Sequence, residues 1–161
     1  MSVTRGGSVI SGKSQAAPKR PGMARTVETQ LRVRYAETDK MGVVYHSNYI
    51  IWFEVGRVEM MRQLGFTYKQ MEADGCHLPV VEVRCRYKAP ARYDELITIR
   101  TRLKNVRAGL IHFHYEVLRA EDGVLLAEGE TVHLTLDGQG NRCPFPKKYM
   151  MVLKAAAESA K

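Results

Sequence analysis

The segment from Tyr35 to Tyr49 contains residue types that can carry out chemistry at an acyl carbonyl. It contains the carboxylate Asp39, then Gly42, and then His46 close to a tyrosine. The apolar spacing that follows predicts a helix, so the segment ends at a helix N-terminus. There, unpaired backbone N–H groups and the positive end of the helix dipole stabilise negative charge. Donors already aimed at a tetrahedral oxygen contribute about 3 to 4 kcal/mol each to acyl transfer, so this arrangement indicates carbonyl chemistry.

Each of these residues also has a purely structural interpretation. Asp39 could sit in a loop because its side chain accepts hydrogen bonds from nearby backbone N–H groups. His46 could simply cap or fill the helix start, and Tyr35 could be an ordinary aromatic residue of a strand. Their occurrence together within one short segment favours a functional site over three unrelated structural roles.

Apolar periodicity predicts the elements that position this segment. Alternating residues predict a strand over 27–35, and apolar residues at 50, 53, 60 and 64 predict a long helix over 48–64. Ser47 or Asn48 is expected as its N-cap, and Gly65 is expected to end it. A short helix over 67–73 and four strands follow, at 77–88, 94–106, 110–119 and 124–136. Because glycines separate the last three strands, we expect them to form an antiparallel meander on a largely buried helix, which is an α+β domain.

One motif runs through the segment and into the helix: Asp39-x-x-Gly42-x-x-x-His46-x-x-Tyr49, then Trp52-Phe53-Glu54 and Arg57-x-Glu59. It resembles the signature of the 4-hydroxybenzoyl-CoA thioesterase family and, more narrowly, that of the short acyl-CoA thioesterases found in bacterial tol-pal gene clusters. A later stretch, Tyr87-Lys88-Ala89-Pro90-Ala91 followed by Asp94-x-Leu96, adds to the resemblance, which covers about residues 28–153. The resemblance implies a hot-dog fold, a curved five-stranded antiparallel sheet around a central long helix. It also implies hydrolysis of acyl-coenzyme A to free acid and CoA.

The resemblance also implies roles for individual residues. Asp39 would be the catalytic carboxylate, acting as nucleophile or as base for water, and His46 and Tyr35 match positions implicated in the tol-pal branch. The backbone N–H of His46 would polarise the thioester carbonyl. The substrate would lie along the rest of this segment, which comprises Gly42, Val43, Val44 and Tyr45. The family uses no cofactor beyond the CoA of its substrate, binds no catalytic metal, and forms homodimers or homotetramers with active sites between subunits.

Another branch of the hot-dog fold places its catalytic glutamate on the helix, where this chain has Glu54 and Glu59. Both have potential partners at i,i+3 spacing, Arg57 and Arg62, so we interpret them as members of surface ion pairs. With Asp39 in the preceding loop, a helix carboxylate is not required for the chemistry.

A basic strand could hold the phosphates of CoA. Alternation places Arg84, Arg86 and Lys88 on one strand face, and charged groups of this kind bind phosphate oxygens. Solvated surface charges remain an equally good interpretation of the same pattern. Three other residues on strands are expected to be surface or sheet-pairing residues: His112, His114 and His133.

Charge and composition limit the other function classes. The formal net charge is +8, of which +5 falls in residues 1–26, a segment rich in glycine and serine without acidic residues. We expect a disordered basic tail at 1–26, one domain at 27–154 and a C-terminal tail at 155–161. The nearly balanced body argues against a nucleic-acid partner, and no apolar run predicts a membrane span.

Three cysteines without metal-ligand spacing suggest a cytoplasmic protein. Two other interpretations of the first segment are an organelle transit peptide and a shorter protein that starts at Met23. A non-catalytic acyl-CoA-binding regulatory domain is the alternative function.

Overall fold

The computed structural model describes residues 25–157 as one antiparallel sheet with helices packed on it. The strand order across the sheet is β1-β3-β4-β5-β2. The elements in chain order are β1 (Thr26–Arg32), a 3-10 turn (Tyr35–Glu37), α1 (Ser47–Gln63), α2 (Tyr68–Ala73), β2 (Val80–Tyr87), β3 (Leu96–Arg107), β4 (Leu110–Arg119), β5 (Leu125–Leu134) and α3 (Lys147–Ala157).

The meander that the sequence predicts is present. Strands β3, β4 and β5 pair consecutively and antiparallel, and tight turns connect them. Gly109 and Gly123 in these turns have φ values of +81° and +71°, which glycine adopts without steric cost. The order places β1 and β2 at the two edges of the sheet. This α+β arrangement, with α1 against the sheet, confirms the expected hot-dog fold.

Two glycines allow α1 to lie very close to the sheet. A Cβ atom on Gly56 of α1 would lie 2.4 Å from the Thr101 hydroxyl of β3, and one on Gly129 of β5 would lie 2.5 Å from the Phe53 ring. The Phe53 ring stacks on Tyr115 with a centroid distance of 4.5 Å and an interplanar angle of 9°. The helix position is therefore fixed by close steric contact as well as by apolar burial.

Helix α3 was not predicted from the sequence. It buries Tyr149, Leu153 and Ala156, and it extends to Ala157, into the segment 155–161 that the sequence predicted as a tail. The backbone N–H of Arg25 donates a 3.2 Å hydrogen bond to the Ala156 carbonyl, and Thr26 already belongs to β1. The remainder of the two predicted tails, 1–24 and 158–161, lies outside the described residues.

His133 and Arg57 lie in a buried polar network that the sequence did not predict. His133 was predicted to be a surface or sheet-pairing residue, and it does pair in the sheet, opposite Ile111 and Val80, but its side chain is fully buried. Arg57 was predicted to pair with Glu54, but its guanidinium lies 3.2 Å from Nε2 of His133 and is itself buried. The expected pair between Glu59 and Arg62 is present.

The directions of the hydrogen bonds define the state of His133. Its Nδ1 lies 3.2 Å from the Leu78 carbonyl, which can only accept, so Nδ1 carries the proton. Nε2 then accepts from Arg57 and from the Thr131 hydroxyl, and Tyr115 donates to Thr131 at 2.8 Å. Burial and the adjacent Arg57 charge lower the pKa of His133 to about 4. The histidine is therefore a neutral structural residue.

Candidate active site

The segment between the 3-10 turn and α1 folds back on itself as a closed loop. Thr38 and Val44 form an antiparallel bridge, and the N–H of Asp39 donates to the Val43 carbonyl at 2.8 Å. The N–H of Gly42 donates to the Asp39 carbonyl at 3.0 Å, with a φ of +76° at Gly42. Glycine is favoured there because side-chain-bearing residues rarely adopt this left-handed conformation. Asp39 is therefore the residue at which this turn closes, with its backbone N–H and carbonyl both hydrogen-bonded within the loop.

The Asp39 carboxylate is only partly engaged by the protein. Its Oδ1 accepts a hydrogen bond from the Met41 N–H at 2.8 Å, as in an Asx turn. Within residues 25–157 no other hydrogen bond or ion pair reaches this carboxylate, and the side chain is partly exposed. One carboxylate oxygen therefore remains available to a substrate or a water molecule.

Asp39 lies on a cavity of about 410 Å³ between the loop, the start of α1 and the end of β2. The cavity is mostly aromatic and aliphatic, with Asp39, His46 and Lys88 as its titratable residues other than tyrosine. Its lining comprises Asp39, Met41, Val43, Val44, Tyr45, His46, Tyr49, Tyr87, Lys88, Ala89 and Pro90. The structure thus brings together most of the residues that the sequence predicted for the site.

Four of the predicted residues do not line this cavity. Tyr35 is 78% exposed, and its ring packs edge-on against Tyr93 at 5.7 Å. Gly42 shapes the turn without contributing to the lining, while Arg84 and Arg86 lie further along β2. Arg84 pairs with Glu82 at 2.5 Å. Of the basic strand face, only Lys88 lines the cavity, and it also contacts Glu128 at 3.2 Å.

His46, rather than Ser47 or Asn48, is the N-cap of α1, with φ −53° and ψ −33°. The expected side-chain cap is absent, and the Asn48 amide donates to the Glu37 carbonyl at 3.0 Å. Within residues 25–157 the backbone N–H of His46 has no acceptor. Its carbonyl accepts a 3.0 Å hydrogen bond from the Tyr87 hydroxyl. The helix N-terminus at the cavity therefore retains a backbone donor.

Glu37 is a residue of this region that the sequence analysis missed. Its carboxylate is only 5% exposed and accepts from the Arg34 N–H at 2.7 Å and from the Trp52 indole N–H at 3.1 Å. Burial raises the pKa of Glu37, but hydrogen bonds from Arg34 and Trp52 outweigh this and lower its pKa overall. A signal was present in the sequence, because a buried tryptophan N–H needs an acceptor and this chain has one tryptophan.

Two tyrosines that the sequence did not assign to the site, Tyr49 and Tyr87, form part of the cavity wall. Tyr49 is buried, and its hydroxyl accepts the Ala91 N–H at 3.0 Å, while its ring meets that of Tyr87 edge-on at 5.2 Å. Burial raises the pKa of Tyr87 to about 12, so this phenol stays protonated and donates to His46. Within residues 25–157 no group of three His, Cys, Asp or Glu side chains could hold a metal ion.

Residues 33–155 match the family model described as the thioesterase-like superfamily. The chain belongs to this superfamily. A relative from Bacillus subtilis, named "Putative acyl-CoA thioesterase YneP", is 37% identical over 67% of this chain and 78% of its own. The "Acyl-CoA thioester hydrolase YbgC" of Escherichia coli O157:H7 is 34% identical over 66% and 79% of the two chains.

The fold has a close counterpart among solved structures. The hypothetical protein TT1821 from Thermus thermophilus superposes with a TM-score of 0.77 and 41% identity, over 80% of this chain and 98% of its own. This similarity to a solved structure agrees with the sheet and helix arrangement described above. No helix within residues 25–157 has both the length and the apolar character that a membrane crossing requires.

Proposed function

We propose that this thioesterase-superfamily protein hydrolyses the thioester bond of acyl-coenzyme A, releasing the free acid and CoA. One observation carries the proposal: a carboxylate with a free oxygen, Asp39, shares a cavity with a helix N-terminus whose first donor, the His46 N–H, has no acceptor within residues 25–157. A carboxylate that attacks or activates water, together with a donor for the developing oxyanion, is sufficient machinery for thioester hydrolysis. The names of the Bacillus and Escherichia relatives support the same activity.

The chemistry follows from these two groups. The thioester carbonyl oxygen accepts from the His46 N–H, which stabilises the negative charge that forms as the carbonyl carbon becomes tetrahedral. Asp39 either attacks that carbon directly or takes a proton from the attacking water. The carbon–sulfur bond then breaks, and the CoA thiolate leaves and is protonated. If Asp39 attacks, water afterwards hydrolyses the resulting anhydride.

The remaining predicted residues have supporting roles in this proposal. Val43, Val44 and Tyr45 line the cavity beside Asp39 and contact the acyl or pantetheine part of the substrate, and Gly42 allows their turn. Lys88 offers a charge to the CoA phosphates at the mouth of the cavity. The more distant cations Arg84 and Arg86 extend this positive surface. Tyr35, the third predicted catalytic residue, would assist the reaction from outside the cavity lining. The motif supports our assignment of the protein to the tol-pal-type branch of the 4-hydroxybenzoyl-CoA thioesterase family.

The active unit in this proposal is a homodimer or homotetramer. Edge strand β2 exposes Val80, Val81 and Val83, and the neighbouring face of α1 exposes Ile50 and Ile51. An unpaired strand edge flanked by apolar residues is a surface that a second copy can cover. Because Tyr87 and Lys88 of the same strand end line the cavity, a partner on β2 borders the site. We expect no cofactor besides the CoA of the substrate.

A thiol-release assay over a panel of acyl-CoAs, with short aliphatic, long aliphatic and aromatic acyl groups, tests the proposal. We expect turnover of at least one acyl class by the wild-type protein and release of free acid in equal amount. A protein that binds acyl-CoA tightly but releases no thiol with any of them would instead be a regulatory acyl-CoA-binding domain.

A further inference from the structure

Glu37 joins the two ends of the loop that carries Asp39. Its backbone carbonyl accepts from the Tyr45 N–H at 2.8 Å and from the Asn48 amide at 3.0 Å. The chain therefore leaves Glu37 towards Asp39 and returns to the same residue immediately before His46. Whatever fixes Glu37 also fixes the separation between the Asp39 carboxylate and the His46 N–H.

The carboxylate of Glu37 provides that fixed point. It is buried, and its oxygens accept from the Arg34 backbone and guanidinium and from the Trp52 indole. Trp52 is 1% exposed in the first half of α1 and is packed in the core. The bond between Glu37 and Trp52 therefore ties the loop to the helix whose N-terminus faces the cavity. Buried charges of this kind are costly unless every partner is in place.

We propose that Glu37 is a positioning residue. The hydrogen bond between its carboxylate and Trp52 keeps the Asp39 carboxylate and the His46 N–H at the separation that the reaction needs. Glu37 does not line the cavity, so it acts through the loop and not on the substrate. Displacing a reacting group by about 1 Å can lower a rate by on the order of 100-fold, so a loose loop is enough to impair turnover. This inference rests on the proposed thioesterase function.

The test variant is Glu37→Gln, which keeps the side-chain shape. All three partners of the carboxylate, the Arg34 backbone, the Arg34 guanidinium and the Trp52 indole, are N–H donors, so the new amide NH₂ faces a donor in either orientation and at least one hydrogen bond is lost. Trp52→Phe removes the other partner of the same bond. Glu28→Gln is the matched control, because Glu28 is an exposed carboxylate of β1 paired with Arg100 at 2.6 Å.

Kinetics of the folded variants form the first arm of the experiment. At a temperature well below all melting transitions, we expect kcat of Glu37→Gln to fall by at least about tenfold with little change in KM. The kcat of Trp52→Phe should fall by a similar factor, and the kcat of the double variant should be no lower than that of the worse single variant. The control should match wild type. Equal kcat in Glu37→Gln and wild type, or a loss explained entirely by an unfolded fraction, overturns the inference.

Amide hydrogen exchange forms the second arm and needs no activity. The N–H groups of Asp39 and Tyr45 close the loop, so we expect their exchange in Glu37→Gln to quicken by about tenfold or more. Amides of the buried strand β4 should stay unchanged. Unchanged exchange at Asp39 and Tyr45 overturns the inference whatever the kinetics show. If wild type releases no thiol from any acyl-CoA, the proposed function fails, and exchange alone decides whether Glu37 anchors the loop.

Discussion

The Tyr87 hydroxyl at the end of β2 donates a hydrogen bond of 3.0 Å to the backbone carbonyl of His46 at the start of α1. It links an edge strand to the peptide group that follows the predicted oxyanion donor. The orientation of the helix N-terminus at the cavity therefore depends on a residue 41 positions away in sequence.

Tyr87→Phe should lower kcat by about three- to tenfold, because a hydrogen bond worth about 1 kcal/mol that orients the His46 peptide is lost. KM should change little, since the ring stays in the wall. The matched control is Tyr68→Phe, which removes a 2.7 Å hydrogen bond to the Leu78 carbonyl away from the cavity. Steady-state kinetics showing equal effects of both changes on kcat would argue against a role for Tyr87 in orienting the site.

Asp39→Asn should lower kcat by at least about 100-fold, the lower limit for loss of general-base catalysis, with a smaller change in KM. The amide keeps the size of the side chain and its acceptor for the Met41 N–H, so folding should survive. Asp137→Asn is the control, because Asp137 accepts in the same manner from the Gln139 N–H at 2.9 Å in another turn. Near wild-type turnover by folded Asp39→Asn would exclude this carboxylate and redirect attention to Glu54 and Glu59.

Single-turnover hydrolysis in oxygen-labelled water should distinguish the two roles of Asp39. Label appearing in the Asp39 carboxylate indicates attack by the carboxylate and an anhydride intermediate. Label found only in the released acid, with no acylated Asp39 peptide after rapid quenching, indicates direct attack by water, with Asp39 as the base. Mass spectrometry of the peptide that contains Asp39 makes this measurement.

Lys88→Gln should raise KM for acyl-CoA by about fivefold at low salt, the effect of about 1 kcal/mol from a partly exposed ionic contact. The difference from wild type should shrink at high salt, because salt screens exposed charges. Arg84→Gln and Arg86→Gln should have smaller effects, since neither side chain lines the cavity. A larger effect from either arginine would place the phosphate site closer to the start of β2, beside that arginine.

Val81→Asp should convert the wild-type oligomer to monomers and abolish most turnover, because it places a charge beside the exposed edge of β2. Val124→Asp, a change of the same kind in the turn before β5, should leave the oligomer intact. Sedimentation velocity at assay concentration measures both. A fully active wild-type monomer would contradict the proposed interface.

The free energy of unfolding should fall as pH decreases from about 6.5 towards 5. Burial lowers the pKa of His133 to about 4, below the ordinary value near 6.5, so the unfolded chain binds more protons in this window. His114, whose pKa is also lowered by burial, adds to the same slope. Denaturant titrations should show a shallower pH dependence in His133→Asn than in wild type. An identical slope would mean that His133 is not held neutral.

The parts of the fold that the sequence predicted depend on local patterns. The meander follows from alternation and turn glycines, and α1 follows from helical spacing. Asp39 and His46 could be placed at one site because they are near in sequence and precede the same helix. Helix α3 was readable in the same way, since Tyr149, Leu153 and Ala156 have helical spacing.

The missing parts of the site depend on distant partners that no local rule selects. Alternation gives the face of β2 on which Lys88 lies, but not which end of the strand meets the start of α1. Spacing alone suggested that Arg57 pairs with Glu54, whereas tertiary packing turns Arg57 inward to His133. The single tryptophan indicates that a buried acceptor is needed, but only the tertiary contacts identify Glu37 as that acceptor.

The hydrogen bond between Arg25 and Ala156 has a practical consequence for engineering the protein. It places the start of the first strand beside the end of the last helix, so a short linker can join residue 25 to residue 157. A circular permutant opened in the turn around Gly123, away from the cavity, is therefore expected to keep the fold. In such a permutant, fusion partners could be attached at that turn instead of beside α3.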